Sequence, residues 1–271
     1  MFGFNEAMLS LTQNMYLEFL ENTSVVSPIF RRTGDRSDGD FNPKSNTTLT
    51  KNTYQFNEVN IPAGVTVTAK APGLLMIAKK VIISGLLTAS GLGANGGVGS
   101  GVPVAGEDGA GHVGGGGGAG GGYSTTEAGA NGGQGRAKGG TGVVGAAGNP
   151  GDNDGDAFYN LVESLGKPVG GGGASSSTGV AGGKGGGYIY IVCNEIILNS
   201  NAAIRAEGLN GTNNAGSGGG GGGAIVIDAW NITNNGAILS VVGGRGGTGL
   251  GNYKAGGNGG NGYLRIIRRG L

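Results

Sequence analysis

Gly187-Tyr188-Ile189-Tyr190-Ile191 is the stretch that decides how this chain is read. It is followed by Ile196-Ile197-Leu198, then Ile204-Arg205-Ala206-Glu207-Gly208, then a run of glycines. The same order occurs upstream as Gly73-Leu74-Leu75-Met76-Ile77, Val81-Ile82-Ile83 and Leu87-Thr88-Ala89-Ser90-Gly91. It occurs downstream as Gly223-Ala224-Ile225-Val226-Ile227, Trp230-Asn231-Ile232 and Ile238 to Gly243, and begins again at Gly262-Tyr263-Leu264-Arg265-Ile266. Short apolar strands of this kind cannot bury a face alone, so their repetition implies stacking.

Glycine supplies 67 of the 271 residues, several times ordinary usage, while aromatic residues make up only 6%. A large conventional side-chain core is therefore excluded for most of the chain. The 7 prolines and the lack of a strict Gly-X-Y period exclude collagen. A net charge of +1 gives no electrostatic case for nucleic acid. The single cysteine, Cys193, lies in an apolar strand and reads as a small buried hydrophobe. One cysteine and one histidine do not make a protein-only zinc site of the usual kind. The start, Met1-Phe2-Gly3-Phe4-Asn5-Glu6, lacks the basic-then-apolar pattern of a signal peptide, which predicts synthesis in a cytoplasm without export by that route. No stretch is apolar and long enough to predict membrane insertion.

The chain divides into five regions. Residues 1–23 read as an N-terminal helix for assembly or attachment. Met8, Leu11, Met15 and Phe19 form its stripe, and Asn5 is a cap candidate. Such an apolar face packs either on its own β-domain or on sister chains and other proteins. Residues 24–53 read as an extended arm with alternating charges between Arg31 and Asp40. The arm is expected to be ordered only if it lies against a neighbour. Residues 54–93 form the first β-repeat region, where Pro62-Ala63-Gly64 separates stretches of period two. Residues 94–187 are a glycine-rich insertion with a short helix near 156–165, and residues 188–271 hold further β-repeats and glycine tracts. As coil, glycine tracts are linkers. As ordered structure, they are threefold extended helices side by side, a spacing only glycine permits. Each tract follows a strand at an equivalent point, which favours order. The predicted fold class is thus mostly β: stacked β-repeats, solenoid or sandwich-like, with packed polyglycine-II-like helices and an N-terminal α-helix.

Catalytic motifs are not found. His112 has no G-x-S-x-G partner, and matches to G-x-G-x-x-G are expected by chance at this glycine content. Lys138 and Lys184 are each followed by glycine, so the phosphate loop is absent. Carboxylates such as Glu107, Asp108 and Glu127 are scattered. The chain is read as a non-enzyme with no required cofactor. One metal candidate is calcium: Asp152, Asp154 and Asp156 fit positions one, three and five of a twelve-residue loop, and Glu163 fits position twelve. Ala157 stands where that loop needs glycine, and acidic capping of the short helix is the other reading. The remaining candidates are the residues interrupting the glycine runs. Tyr123, Glu127, Phe158, Tyr159 and Tyr253 are receptor-contact candidates, with Ser175-Ser176-Ser177 beside them. For each tyrosine, packing on the glycine segments is the alternative.

Val59-Asn60-Ile61-Pro62-Ala63-Gly64-Val65-Thr66-Val67, then Ile82 to Gly91, then glycine tracts, resembles the glycine-rich virion surface proteins of tailed bacteriophages, tail-fibre and tail-tip adhesins in particular. The resemblance covers roughly residues 54–271 and is one of style rather than of a sharp motif. It implies polyglycine helices whose turns contact the host surface, a virion-surface location, and a homo-oligomer such as a trimer. Implied partners are a host protein or glycan and, through the N-terminal region, another virion protein. A capsid-bound head fibre or decoration protein, and a secreted bacterial surface or filament protein, are the alternative expectations.

Overall fold

A computed structural model describes residues 34–98, 104–108, 114–121, 128–143, 148–153, 165–175, 180–213 and 216–269. The helices expected over Asn5–Asn22 and near 156–165 lie outside or almost outside these residues, and no helix occurs among the described ones. The described chain is mostly β. Its strands are β1 (Thr47–Thr48), β2 (Thr53–Ile61), β3 (Thr66–Thr68), β4 (Gly73–Ile83), β5 (Leu86–Thr88), β6 (Tyr188–Leu198), β7 (Ala203–Arg205), β8 (Ala224–Asn234), β9 (Ile238–Ser240) and β10 (Tyr263–Arg268).

These strands form two five-stranded parallel sheets, ordered β1-β3-β5-β7-β9 and β10-β8-β6-β4-β2. Long and short strands alternate along the chain, so each repeat adds one strand to each sheet. This is a β-solenoid-like stack. Parallel pairing within both sheets fits the solenoid form of the expected stacked β-repeats.

Register explains the repeat. Leu74, Ile189 and Ile225 stand on one another, as do Met76, Ile191 and Ile227, and Ala78, Cys193 and Ala229. In the short strands Val67, Leu87, Ile204 and Leu239 form the matching column. All of these belong to one buried cluster, with Leu239 half-buried at its edge. Cys193 is therefore buried among apolar side chains, as its sequence setting predicts.

The apolar pairs that read as separate strands are continuous. Gly73-Ile77 and Val81-Ile83 both belong to the 11-residue β4, and β6 and β8 have the same length. What divides them is a change of parity. Alternate residues face inward up to Ala78, Cys193 and Ala229, then from Val81, Ile196 and Ile232 onward. Between them two consecutive residues face out: Lys79-Lys80, Asn194-Glu195 and Trp230-Asn231, with Asn57-Glu58 at the same place in β2. Two outward residues in a row let one strand bend and keep both halves on the core, as a bulge does.

The arm expected over 24–53 does lie against a neighbour from Asp35 on, and that neighbour is its own β2. The amides of Phe41 and Asn60 bond across this edge to Glu58 and Phe41 carbonyls, both at 2.8 Å. Asp38 and Asp40 carboxylates accept from the amides of Gln55 (2.8 Å) and Glu58 (3.2 Å). Phe41 stacks on Phe56 at 5.1 Å between ring centroids. The β2 end of the stack is thereby covered.

The glycine tracts run out from the ends of the short strands and return to the starts of the long ones. Their amides bond sideways at every third residue. Gly115, Gly118 and Gly121 donate to Gly222 (2.8 Å), Gly219 (2.7 Å) and Gly216 (2.7 Å). Gly116 and Ala119 donate to Asp152 and Asn149, both at 3.1 Å. Gly117 and Gly120 donate to Gly133 (2.9 Å) and Ala130 (3.0 Å). The carbonyls of Gly115, Gly116, Gly117, Gly118 and Ala119 in turn accept from Gly171, Gly260, Gly140, Ala174 and Gly257. Segment 114–121 is thus ringed by other tracts and wholly buried. The cost of ordering glycine is offset by a sideways partner for nearly every backbone group.

Candidate recognition surface

The tracts give the lattice two ends. Its near end abuts the sheets, because Gly187, Gly223 and Gly262 lead directly into β6, β8 and β10. Successive bonds then step outward from Gly222 to Gly216 and from Gly115 to Gly121. At the far end lie Val98 and Val104, Gly121 and Ala128, Val143 and Gly148, Ser175 and Val180, and Asn213 and Gly216. The turn 249–254 closes the last tract at the same end, where the Tyr253 amide donates to the Leu250 carbonyl at 3.2 Å.

Of the receptor-contact candidates, only Tyr253 is among the described residues. It is half-buried at the far end, close to Leu250, which is exposed. Tyr123 and Glu127 lie outside the described residues, between Gly121 and Ala128. Phe158 and Tyr159 lie outside them too, but between Asn153 and Leu165 at the near end. There the Asp152 amide donates to the Lys138 carbonyl at 2.9 Å, and Val169 packs with Tyr188, Ala224, Val226 and Tyr263 on the outer sheet face. The described residues on either side of these two stretches thus lie at opposite ends of the lattice. Of the calcium set only Asp152 is described, and its side chain is exposed. Asp154, Asp156 and Glu163 lie outside, as do His112 and the stripe Met8, Leu11, Met15 and Phe19.

Ser175 corrects its expectation. It is fully buried, and its hydroxyl accepts from the Val104 amide at 2.9 Å, so it closes the lattice rather than meeting a ligand. Glu107 and Asp108 are likewise structural. Glu107 accepts from the Asn95 side chain at 2.9 Å, and Asp108 from the Gln134 amide at 2.6 Å.

Two features escape a strand-by-strand reading of the sequence. A shallow cleft of about 490 Å³ opens along one flank of the lattice, between Asn95, Val98, Val104, Glu107, Ala181 and Lys184. Its walls come from tracts far apart in sequence, which no local pattern signals. The second feature is the outward ladder at the strand bend, where Glu58, Lys80, Glu195 and Asn231 stack across four strands. Lys80 and Glu195 pair at 3.0 Å, and the neighbouring Trp230 is exposed. Aligning the repeats reveals this ladder, since each apolar half-strand is followed by two non-core residues.

Two buried titratable groups show how dry the sheets are. Burial, reinforced by Asp228 and Glu195, pushes the Cys193 thiol up to about 12. Burial also raises the Tyr188 phenol, although its oxygen accepts from the Gly166 amide at 2.8 Å. Neither is poised for chemistry at neutral pH. Among the described residues no group of three or more metal-ligating side chains occurs. No described helix is long and apolar enough to cross a membrane.

The fold and its far-end surface define a class in physical terms: a parallel two-sheet stack carrying an ordered glycine-rich lattice. Comparison with protein-family models, with characterised proteins and with solved structures gives no match in any of the three.

Proposed function

We propose that this chain is a non-enzymatic structural and adhesive virion protein of the tail-fibre or tail-tip kind, which meets the host surface through the far end of its glycine lattice. The lattice is read as packed polyglycine-II-like helices, and residues 1–23 as a helical attachment region that joins the protein to sister subunits or to another virion protein. The observation that carries this reading is the shared placement of the interruptions. Five separated pairs of flanking residues and the turn 249–254 come together at one end, away from the sheets. A base of bonded tracts with its turns gathered at one end is the arrangement that places recognition on loops and stability elsewhere. Val98 and Leu250 add exposed apolar area there. Tyr123, Glu127 and Tyr253 are accordingly the contact residues in this reading, and Phe158 and Tyr159 are secondary.

The test replaces Tyr123, Glu127 and Tyr253 together by alanine in the full chain. Binding to bacterial cells and to purified surface polysaccharide is then measured beside the thermal midpoint. The reading expects at least tenfold weaker binding with an unchanged midpoint. Equal binding by the variant would remove the far end from the function. A full chain that labels virions yet binds no cells would instead favour the capsid-bound decoration protein.

A further inference from the structure

The two ends of the β-stack are unlike. At the β2 end, residues 38–48 cover the last strand. At the other end, β10 and β9 are the final strands of their sheets, and no described residue covers them. Leu264 and Ile266 stand in the core columns, in register with Ile225 and Ile227. Those partners are 0% exposed, whereas Leu264 is 42% and Ile266 45% exposed. A layer of core therefore faces outward. Ile238 and Val242 extend the patch at 54% and 53% exposure. Stacked repeats need a terminal cap, and sheet edges need a cover.

Charge indicates what covers this face. After Asp228 the sequence contains no acidic residue; Arg245 follows β9 and Arg265 and Arg268 lie in β10, while Arg269 pairs with Asp228 and Lys254 sits in the far-end turn. Two such faces repel each other, so symmetric pairing of open ends is disfavoured. The complementary partner within the same sequence is the N-terminal segment. Residues 1–30 contain Glu6, Glu18 and Glu21 and no lysine or arginine, with Met8, Leu11, Met15 and Phe19 among them. That segment joins the described chain at residue 34, beside β2, at the opposite end of the stack from β10.

We infer that residues 5–22 of one copy cap the open β9–β10 face of a second copy, an apolar and acidic segment on an apolar and basic one. The contact is head-to-tail, so it closes into a ring or grows into a filament according to the rotation between copies. The inference rests on the assembly half of the function proposed above and leaves the adhesive half untouched, because host-cell binding is a separate assay.

The experiment uses full-length protein and sedimentation at rising concentration. The donor variant carries Glu18→Lys and Glu21→Lys. The acceptor variant carries Arg245→Glu and Arg268→Glu. The natural chain should self-associate, less strongly at high salt. Each variant alone should associate at least tenfold more weakly, and the chain carrying all four changes should recover association. Mixing the two variants should restore association with the two alternating along the assembly, since each variant's N-terminal segment then meets an oppositely charged face on the other. Circular dichroism of the acceptor variant confirms that β10 still folds. Three results would overturn the inference: a natural chain that stays monomeric at all concentrations, association indifferent to both variants, or variants that do not pair on mixing. A monomer that still joins particles would place the partner in another virion protein and leave the adhesive reading standing.

Discussion

Replacing Gly117 by alanine tests the glycine lattice at its centre. A Cβ built there falls 2.5 Å from the Gly172 carbonyl carbon and 3.0 Å from the Gly173 nitrogen, closer than packed atoms tolerate. The obstructing atoms are backbone, so no side chain can turn aside. To make room, tract 171–174 must move away from 114–121. That movement strains Gly171 to Gly115 and Ala174 to Gly118, both 3.0 Å, and the Gly133 to Gly172 bond at 2.8 Å. Losing two or three buried backbone bonds at roughly 1–3 kcal/mol each gives a cost of about 2–9 kcal/mol. Gly251→Ala is the control. Its φ of 64° disfavours a side chain, but nothing lies within 4 Å, so its cost should stay near 1–2 kcal/mol. Urea unfolding of both variants supplies the comparison. If Gly117→Ala costs no more than Gly251→Ala, the tracts are not packed as described and the reasoning from a base of bonded tracts fails with them.

Further outcomes follow from the same geometry. Amide exchange at Gly115 to Gly121 should be as slow as in β6, since both are buried and bonded, and exchange within minutes would contradict the ringed arrangement. Arg269→Met should destabilise by about 2–3 kcal/mol in thermal melts, because it leaves the buried Asp228 carboxylate without the fork that now bonds it at 2.8 and 2.6 Å. Cys193 should resist thiol reagents at pH 8 until the protein unfolds. Because its folded value lies near 12 and its unfolded value near the ordinary thiol range, the folded state holds the proton more tightly. This contribution is fully present below about pH 8.5 and declines by about 1.4 kcal/mol per pH unit up to 12. Cys193→Ala should flatten that alkaline slope in urea titrations.

How much of this was legible in the sequence differs from element to element. The apolar repeats at Gly73, Gly187, Gly223 and Gly262 marked stacked strands, because period-two burial leaves its imprint on residue type. The buried setting of Cys193 was legible for the same reason. The joining of Gly73-Ile77 to Val81-Ile83 was not. Lys79-Lys80 looks like a break in the sequence, and only pairing of both halves to the same neighbours shows that the strand bends there. Ser175 looked like an exposed contact residue, because a serine among glycines carries no sign that its hydroxyl serves Val104, 71 positions away.

The sequence by itself determined that strands repeat, that they stack, and that glycine tracts occupy equivalent places between them. These are local properties of periodicity and composition. Only the tertiary structure decided that all strands run parallel in two sheets, since hydrogen-bond direction is not written in side chains. It alone decided which tracts surround 114–121, because glycine carries no side chain to encode a partner and selection comes from fitting the whole lattice at once. And it alone showed that one end of the stack is covered while the other leaves Leu264 and Ile266 facing outward, since exposure depends on whether a next layer is present.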